Sequence, residues 1–441
     1  MKLIINKYFE KESAISIMNI VLIGLVVFSF FIRNYNITYC LTSIYLLNCV
    51  RVFDDINSKL ISLFFFSYYL IPLPNISTYR GTISYETLQL YTLMILLGMI
   101  PLMINFKKKT PVKQKKIVFD KTFAITVWIH IALVYTALLY IAFKYGNTLI
   151  HQELRFSISP YLVYFIKSSI YIPLFYVFID SKKRPYFYFL KYAALPLIPS
   201  LIIGSRGTVI SILIAVGLIS VLKAFKQGEN YKLKNSIVWD KLKKRIYRLA
   251  GLILVIIHTF YYSRRIFSET LLSNMEVVNK YFNSDSPLYL PILPLYTSFR
   301  ETIGIANVII TNGLSNNISS YPLFISELFT ILPGHQQSPG KIIGDIIGRK
   351  LNGGLTPNIL GGVYIDFGVW AIFSCSIIVV FVKYLYSKSY NSDTSKILYA
   401  ITLTQFFHLF HRGFLKPEYF LAYVILFIYF FLLSFDSKIL K

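Results

Sequence analysis

Leu355-Thr-Pro-Asn-Ile-Leu-Gly-Gly-Val-Tyr-Ile-Asp-Phe-Gly368 marks the point at which the chain returns to apolar sequence after its longest interruption. Between Ser263 and Pro357 no apolar run is long enough to cross a bilayer, whereas such runs dominate the sequence on either side. The contrast divides the chain into residues 1–262, an intervening stretch 263–357 and residues 358–441. The outer two parts read as bundles of apolar helices, and the middle part reads as the region they hold at one membrane face.

Working outward from this stretch, apolar runs fall at 15–32, 37–52, 60–75, 86–104, 122–143, 160–179, 186–203, 207–222, 249–262, 360–383, 396–411 and 417–435. They predict about twelve transmembrane helices. A 55% hydrophobic composition with mean hydropathy +0.58 excludes an ordinary soluble domain and a disordered chain. The expected architecture is an all-α polytopic integral membrane protein with one large extracytoplasmic loop. The run at 15–32 follows a basic segment but lacks a small-x-small cleavage site, so it reads as a retained first helix.

Net charge is +25 although only 15% of residues are charged. The excess sits in short clusters between apolar runs: Lys107-Lys108-Lys109, Lys182-Lys183-Arg184 and Lys241-Leu-Lys-Lys-Arg245. No basic soluble domain exists to carry nucleic acid, so these clusters read as topology signals and contacts to anionic lipid heads. With both termini cytoplasmic, every dense cluster falls on one side and the long stretch on the other. The three cysteines, Cys40, Cys49 and Cys375, lie inside apolar runs and read as packing residues.

The sequence lacks a phosphate-binding P-loop, a dinucleotide-binding glycine motif, H-E-x-x-H and paired C-x-x-C. No D-x-D lies in the outer connections, so neither a metal nor a cofactor is expected. The candidate chemistry lies in isolated arginines. Gly204-Ser-Arg-Gly-Thr208 joins two apolar runs so tightly that Arg206 is held at the membrane surface. Its glycines allow close backbone approach, and Ser205 can cap the following helix, whose first amides favour an anion. The site reads as a phosphate or pyrophosphate clamp, or else as an interfacial arginine on a lipid headgroup.

Ser298-Phe-Arg-Glu301 fits a capping box, which would place Arg300 in the first turn of a helix, where a bound anion would reconcile it with the dipole. Arg264 and Arg265 could serve the same anion. His335, in the turn Pro333-Gly-His-Gln-Gln-Ser338, is the only histidine of the long stretch and a candidate general base. Ser338-Pro339 predicts a helix to about Lys350, with Lys341, Asp345 and Arg349 on one face. Asp366, about two turns into an apolar helix, is a functional candidate or a carboxylate pairing an arginine. Tyr364 shares a face with Gly361 and Gly368. Arg412 and Glu418 flank the last outer turn and either pair with each other or add to the site. Lys167, within an apolar run, either snorkels or meets a carboxylate. His130, His258 and His408 read as packed polar residues.

The apolar runs, the Gly-Ser-Arg-Gly joint, the long outer stretch and the 355–368 motif together resemble the Wzy-type oligosaccharide repeat-unit polymerases, which build O-antigen and capsular polysaccharide. The residue-level likeness is confined to 204–208 and 355–368. The resemblance implies a GT-C-like membrane glycosyltransferase of the bacterial inner membrane, acting at its outer face on undecaprenyl-pyrophosphate-linked oligosaccharides. For that reaction Arg206, Arg264, Arg265, Arg300 and Arg412 are the candidate pyrophosphate ligands, in place of a metal. His335, then Asp366, would be the base, with Ser205, Tyr364, Glu418 and Arg349 in support. Its partners would be the lipid-linked substrates, membrane lipid and a chain-length-regulating membrane protein. An O-antigen ligase would share the donor and the arginines. A flippase would instead require internal repeats and charges at mid-membrane, and neither is visible.

Overall fold

The computed structural model describes residues 18–74, 81–104, 117, 121–146, 158–179, 188–224, 248, 250–259, 261–262, 273–314, 322–331, 338–348, 355–389 and 392–439. Every regular element among them is helical. Three helices are long and apolar enough to cross a membrane: Tyr85–Met103, Lys121–Tyr145 and Asn358–Lys388. Shorter apolar helices cover Met18–Ile32, Leu190–Ile202, Gly207–Lys223, Ala250–Thr259 and Pro417–Leu433.

In chain order we number α1 (Met18–Ile32), α2 (Tyr35–Val52), α3 (Ile56–Leu70), α4 (Tyr85–Met103), α5 (Lys121–Tyr145) and α6 (Pro160–Ser168). There follow α7 (Leu195–Ile202), α8 (Arg206–Ala224), α9 (Ala250–Thr259), α10 (Asn274–Phe282), α11 (Leu293–Thr311) and α12 (Leu323–Ser326). The chain closes with α13 (Pro339–Ile346), α14 (Asn358–Phe367), α15 (Ser374–Lys388), α16 (Asp393–Arg412) and α17 (Pro417–Ile439).

Short polar residues set the helix starts. Asn34, Asp55 and Ser84 accept from the amides of Ile37, Ser58 and Thr87, which a helix leaves unpartnered in its first turn. Proline and glycine set the breaks. The apolar run at 160–179 divides into α6, a 3-10 turn at Ser169–Tyr171 and a short helix at Pro173–Tyr176, because Pro173 has no amide to donate. The run at 360–383 breaks at Gly368, whose φ of 56° ends α14 before a 3-10 turn leads into α15.

The main core is aromatic where α3 meets α16. Phe64 stacks on Phe407 at 4.2 Å between centroids and meets Phe410 edge-on at 5.1 Å. Phe65 and Tyr68 also reach Phe410. Polar contacts fasten the two ends of this bundle. At one, Tyr68 Oη lies 2.8 Å from His411 Nδ1, joining the C-termini of α3 and α16. At the other, Lys383 Nζ donates to the carbonyls of Pro101 and Leu102 at 2.9 and 2.6 Å, and Lys396 pairs with Asp393 at 3.0 Å.

The long middle stretch folds into the bundle. α11 buries Ile303, Ala306 and Ile309 in the main core and packs on α4 and α14. It begins at Leu293, before the expected start at Ser298. Pro294 presets the first turn, and Ser298 donates its hydroxyl to the Pro294 carbonyl instead of capping. Arg300 therefore sits well inside the helix. α13 does start after Ser338 but ends at Ile346, where Gly348 turns left-handed at φ 77°, short of Lys350.

The two glycines of the opening motif explain how α14 seats. A Cβ on Gly361 would lie 2.9 Å from Ala306 Cα of α11. A Cβ on Gly362 would lie 2.1 Å from the Gly413 carbonyl oxygen. α14 thus lies backbone to backbone on the α16–α17 turn and is the platform that fixes it.

Candidate functional site

Three connections meet beside that turn. The α7–α8 joint brings Gly204, Ser205, Gly207 and Thr208, α6 brings Lys167, and the end of α16 with the turn into α17 brings His408, Arg412, Lys416 and Glu418. They enclose a cavity of about 310 Å³. Ile158, Val163 and Ile203 form one apolar wall, continuous with a small core of α5 and α6 side chains.

Each polar group is held for an identifiable reason. Glu418, in the first turn of α17, lies against Lys167 Nζ and accepts the Thr208 hydroxyl at 2.8 Å on its other oxygen. Tyr171 donates to the Glu418 backbone carbonyl at 3.0 Å. The carboxylate thereby ties α6, α8 and α17 together, with one partner on each oxygen. Lys416 lies 3.9 Å from Glu327, just beyond α12. Burial, reinforced by the nearby Arg412 guanidinium, lowers the Lys416 ammonium to about 8. Arg412 is half-buried, lines the cavity and makes no ion pair or hydrogen bond among the described residues.

The cavity therefore faces Lys167, Arg412 and Lys416 against the carboxylate of Glu418, with Glu327 outside the lining beside Lys416. The first turn of α8 adds amides that have no intrahelical acceptor and the positive end of the helix dipole. Gly204, at φ 80°, makes the sharp joint that aims this turn inward. Such an arrangement is chemically suited to an anion. Among the described residues no three His, Cys, Asp or Glu side chains are grouped to hold a metal ion.

The expected site residues separate on this geometry. Ser205, Arg412 and Glu418 line the cavity. Arg206 is the first residue of α8, and its side chain lies outside the described residues. Glu418 pairs with Lys167, the carboxylate alternative for that lysine, and not with Arg412. Arg300 is absent from the lining. It is fully buried and donates to the carbonyls of Pro72 at 2.9 Å and Gly81 at 2.6 Å, closing the α3–α4 connection onto α11. Tyr364 is buried in α14.

Asp366 is also outside the lining and acts as a cap. Its two oxygens accept the amides of Leu323 and Phe324 at 2.8 and 2.7 Å, which fixes the start of α12. The Phe324 carbonyl in turn accepts the Leu415 amide at 2.9 Å. Asp366 thus positions the wall that carries Glu327 and Lys416. Arg264, Arg265, His335 and Arg349 lie outside the described residues.

Sequence reading missed Lys416 and His408. His408 and Arg412 are four apart on α16 and so share a face, a spacing that marks them as a pair. Lys416 carried no such sign, because its depth comes from α12 packing over the turn. Compared with models of protein families, with curated proteins and with solved structures, the chain matches none.

Proposed function

We propose that the chain is a membrane glycosyltransferase that polymerises lipid-diphosphate-linked oligosaccharide repeat units, in the manner of the Wzy-type polymerases it resembles. The observation that carries this reading is the cationic cavity at the α7–α8 joint. It sits at the end of a helical bundle whose spans, by sequence, number about twelve. A glycosyl diphosphate donor gains negative charge on its leaving group as the glycosidic bond breaks. Fixed cations and helix amides in a half-buried cavity stabilise that charge without reorganising. Arg412, Lys416 and the first turn of α8, with Arg206 at its start, take the diphosphate. Lys167 is committed to Glu418 and sets the shape of the floor.

In this reading the cavity faces outward from the bacterial cytoplasmic membrane, both termini are cytoplasmic, and the apolar wall of Ile158, Val163 and Ile203 runs toward the lipid part of the donor. Charge gathered at one end of the bundle disfavours a flippase, which needs its charges at mid-membrane.

Deletion of the gene, followed by gel analysis of surface polysaccharide, tests the assignment. Loss of long chains with single repeat units still attached supports a polymerase. Loss of all attached sugar assigns a ligase, and lipid-linked units stranded on the cytoplasmic side assign a flippase.

A further inference from the structure

We infer that His408 is the proton acceptor of the transfer reaction, a role that rests on the glycosyltransferase reading of the same cavity. An attacking sugar hydroxyl must lose its proton to a group that reaches the cavity and has a free lone pair. Lys167, Arg412 and Lys416 offer donors and, while charged, no acceptor. Glu418 holds the Lys167 ammonium on one oxygen and the Thr208 hydroxyl on the other, so a proton taken there would undo the ion pair that ties α6 to α17. Asp366 is outside the lining and caps α12. His408 remains.

Its ring is held by one nitrogen and open at the other. Nδ1 lies 3.2 Å from the Tyr419 hydroxyl. Nε2 has no hydrogen-bond partner among the described residues and is turned toward the first turn of α8. A Cβ built on Gly207 would lie 3.3 Å from it. Glycine at 207 leaves Nε2 uncovered, and it does so one residue from Thr208 and beside the amides that take the leaving group. Acceptor and leaving group are therefore served from one turn of helix.

The step balances within this geometry. The acceptor oxygen forms a bond to the anomeric carbon while that carbon's bond to the diphosphate oxygen breaks. The electron pair leaves with the lipid diphosphate, which Arg412, Lys416 and the α8 amides receive. The hydroxyl proton passes to Nε2 and promptly to water, because Lys416 and Arg412 in the same cavity oppose a lasting charge on the ring. Tyr419 accepts from Nδ1 and Glu418 faces the transient cation.

The test uses the full-length protein in nanodiscs with lipid-diphosphate-linked repeat units from the host as probe. His408→Gln should lower kcat by ~10²–10⁴-fold with donor binding retained. Added imidazole should restore turnover to His408→Gly. Gly207→Ala is the companion variant. Position 207 is exposed in a helix, so alanine is tolerated by the fold, yet its methyl covers Nε2 and kcat should fall while thermal stability holds. If His408→Gln and Gly207→Ala both elongate chains at the wild-type rate, His408 is not the acceptor and the polymerase reading stands. If the wild-type protein itself neither binds nor consumes the units, the polymerase reading falls and this inference with it.

Discussion

Arg300 and Arg412 are both arginines carried by helices near the same end of the bundle, and they end in opposite states. The Arg300 guanidinium is fully buried and donates from Nη1 and Nη2 to the carbonyls of Pro72 and Gly81, while its Nε has no hydrogen-bond partner among the described residues. Arg412 is half-buried, faces a cavity and makes no such bond among the described residues. Backbone carbonyls accept from the first cation and fasten a connection, and it does not line the cavity. The second keeps its donors directed at space, beside Lys416 and a helix N-terminus. What separates the two cations is therefore both their depth and whether the fold has already given their terminal donors a partner.

The sharpest way to break this contrast is to remove the platform beneath the Arg412 turn. In Gly362→Ala a methyl would fall 2.1 Å from the Gly413 carbonyl oxygen, an overlap with backbone that no rotamer relieves. We expect a loss above ~4 kcal/mol and little protein in the membrane by immunoblot. Gly304→Ala on α11, where nothing lies within 4 Å, should leave abundance unchanged.

A second pair of variants exchanges the two arginines' roles. Arg412→Ala should cost ~10²–10³-fold in chain elongation, the usual loss for one fixed donor, at normal abundance. Arg300→Met should do the reverse. It strands the carbonyl of buried Pro72 and frees that of exposed Gly81, at a cost of about 1–3 kcal/mol, read as a lower thermal midpoint, while the turnover of the protein that folds is kept.

The smallest effect concerns pH. Lys416 titrates near 8 because it is largely buried, with Arg412 and Lys167 opposing its charge and Glu418 and Glu327 favouring it. Its folded value lies below the ordinary lysine value, so the cation is lost as pH rises through about 8. Donor KM should therefore rise by up to about tenfold between pH 7 and 9. Lys416→Arg, which stays charged across this range, should flatten the profile.

How far these features were legible in the sequence depended on whether they were local. The helix starts after Asn34, Asp55 and Ser84 are local, since an oxygen two or three residues ahead of an amide suffices, although hydropathy alone places these runs at 37, 60 and 86. The α7–α8 joint was legible for the same reason, because two glycines and a serine between apolar runs leave the chain no other course. Arg300 was misplaced within its helix because Pro294 starts the helix earlier than the serine–glutamate pair suggests. Asp366 is a cap for a helix some forty residues before it in sequence, and no spacing rule reports a contact of that range. Lys167 and Glu418 are 251 residues apart. An apolar helix carrying one lysine signals that a partner is needed, and only the fold says which.

The most direct measurement is equilibrium binding of a lipid-diphosphate-linked oligosaccharide to the purified protein in nanodiscs, comparing wild type, the Arg412→Ala/Lys416→Ala double variant and Arg300→Met. If the cavity is the donor site, the double variant loses affinity by about a hundredfold or more while Arg300→Met binds as wild type. Equal affinity in the double variant, or selective loss in Arg300→Met, would contradict the assignment of the donor to this cavity.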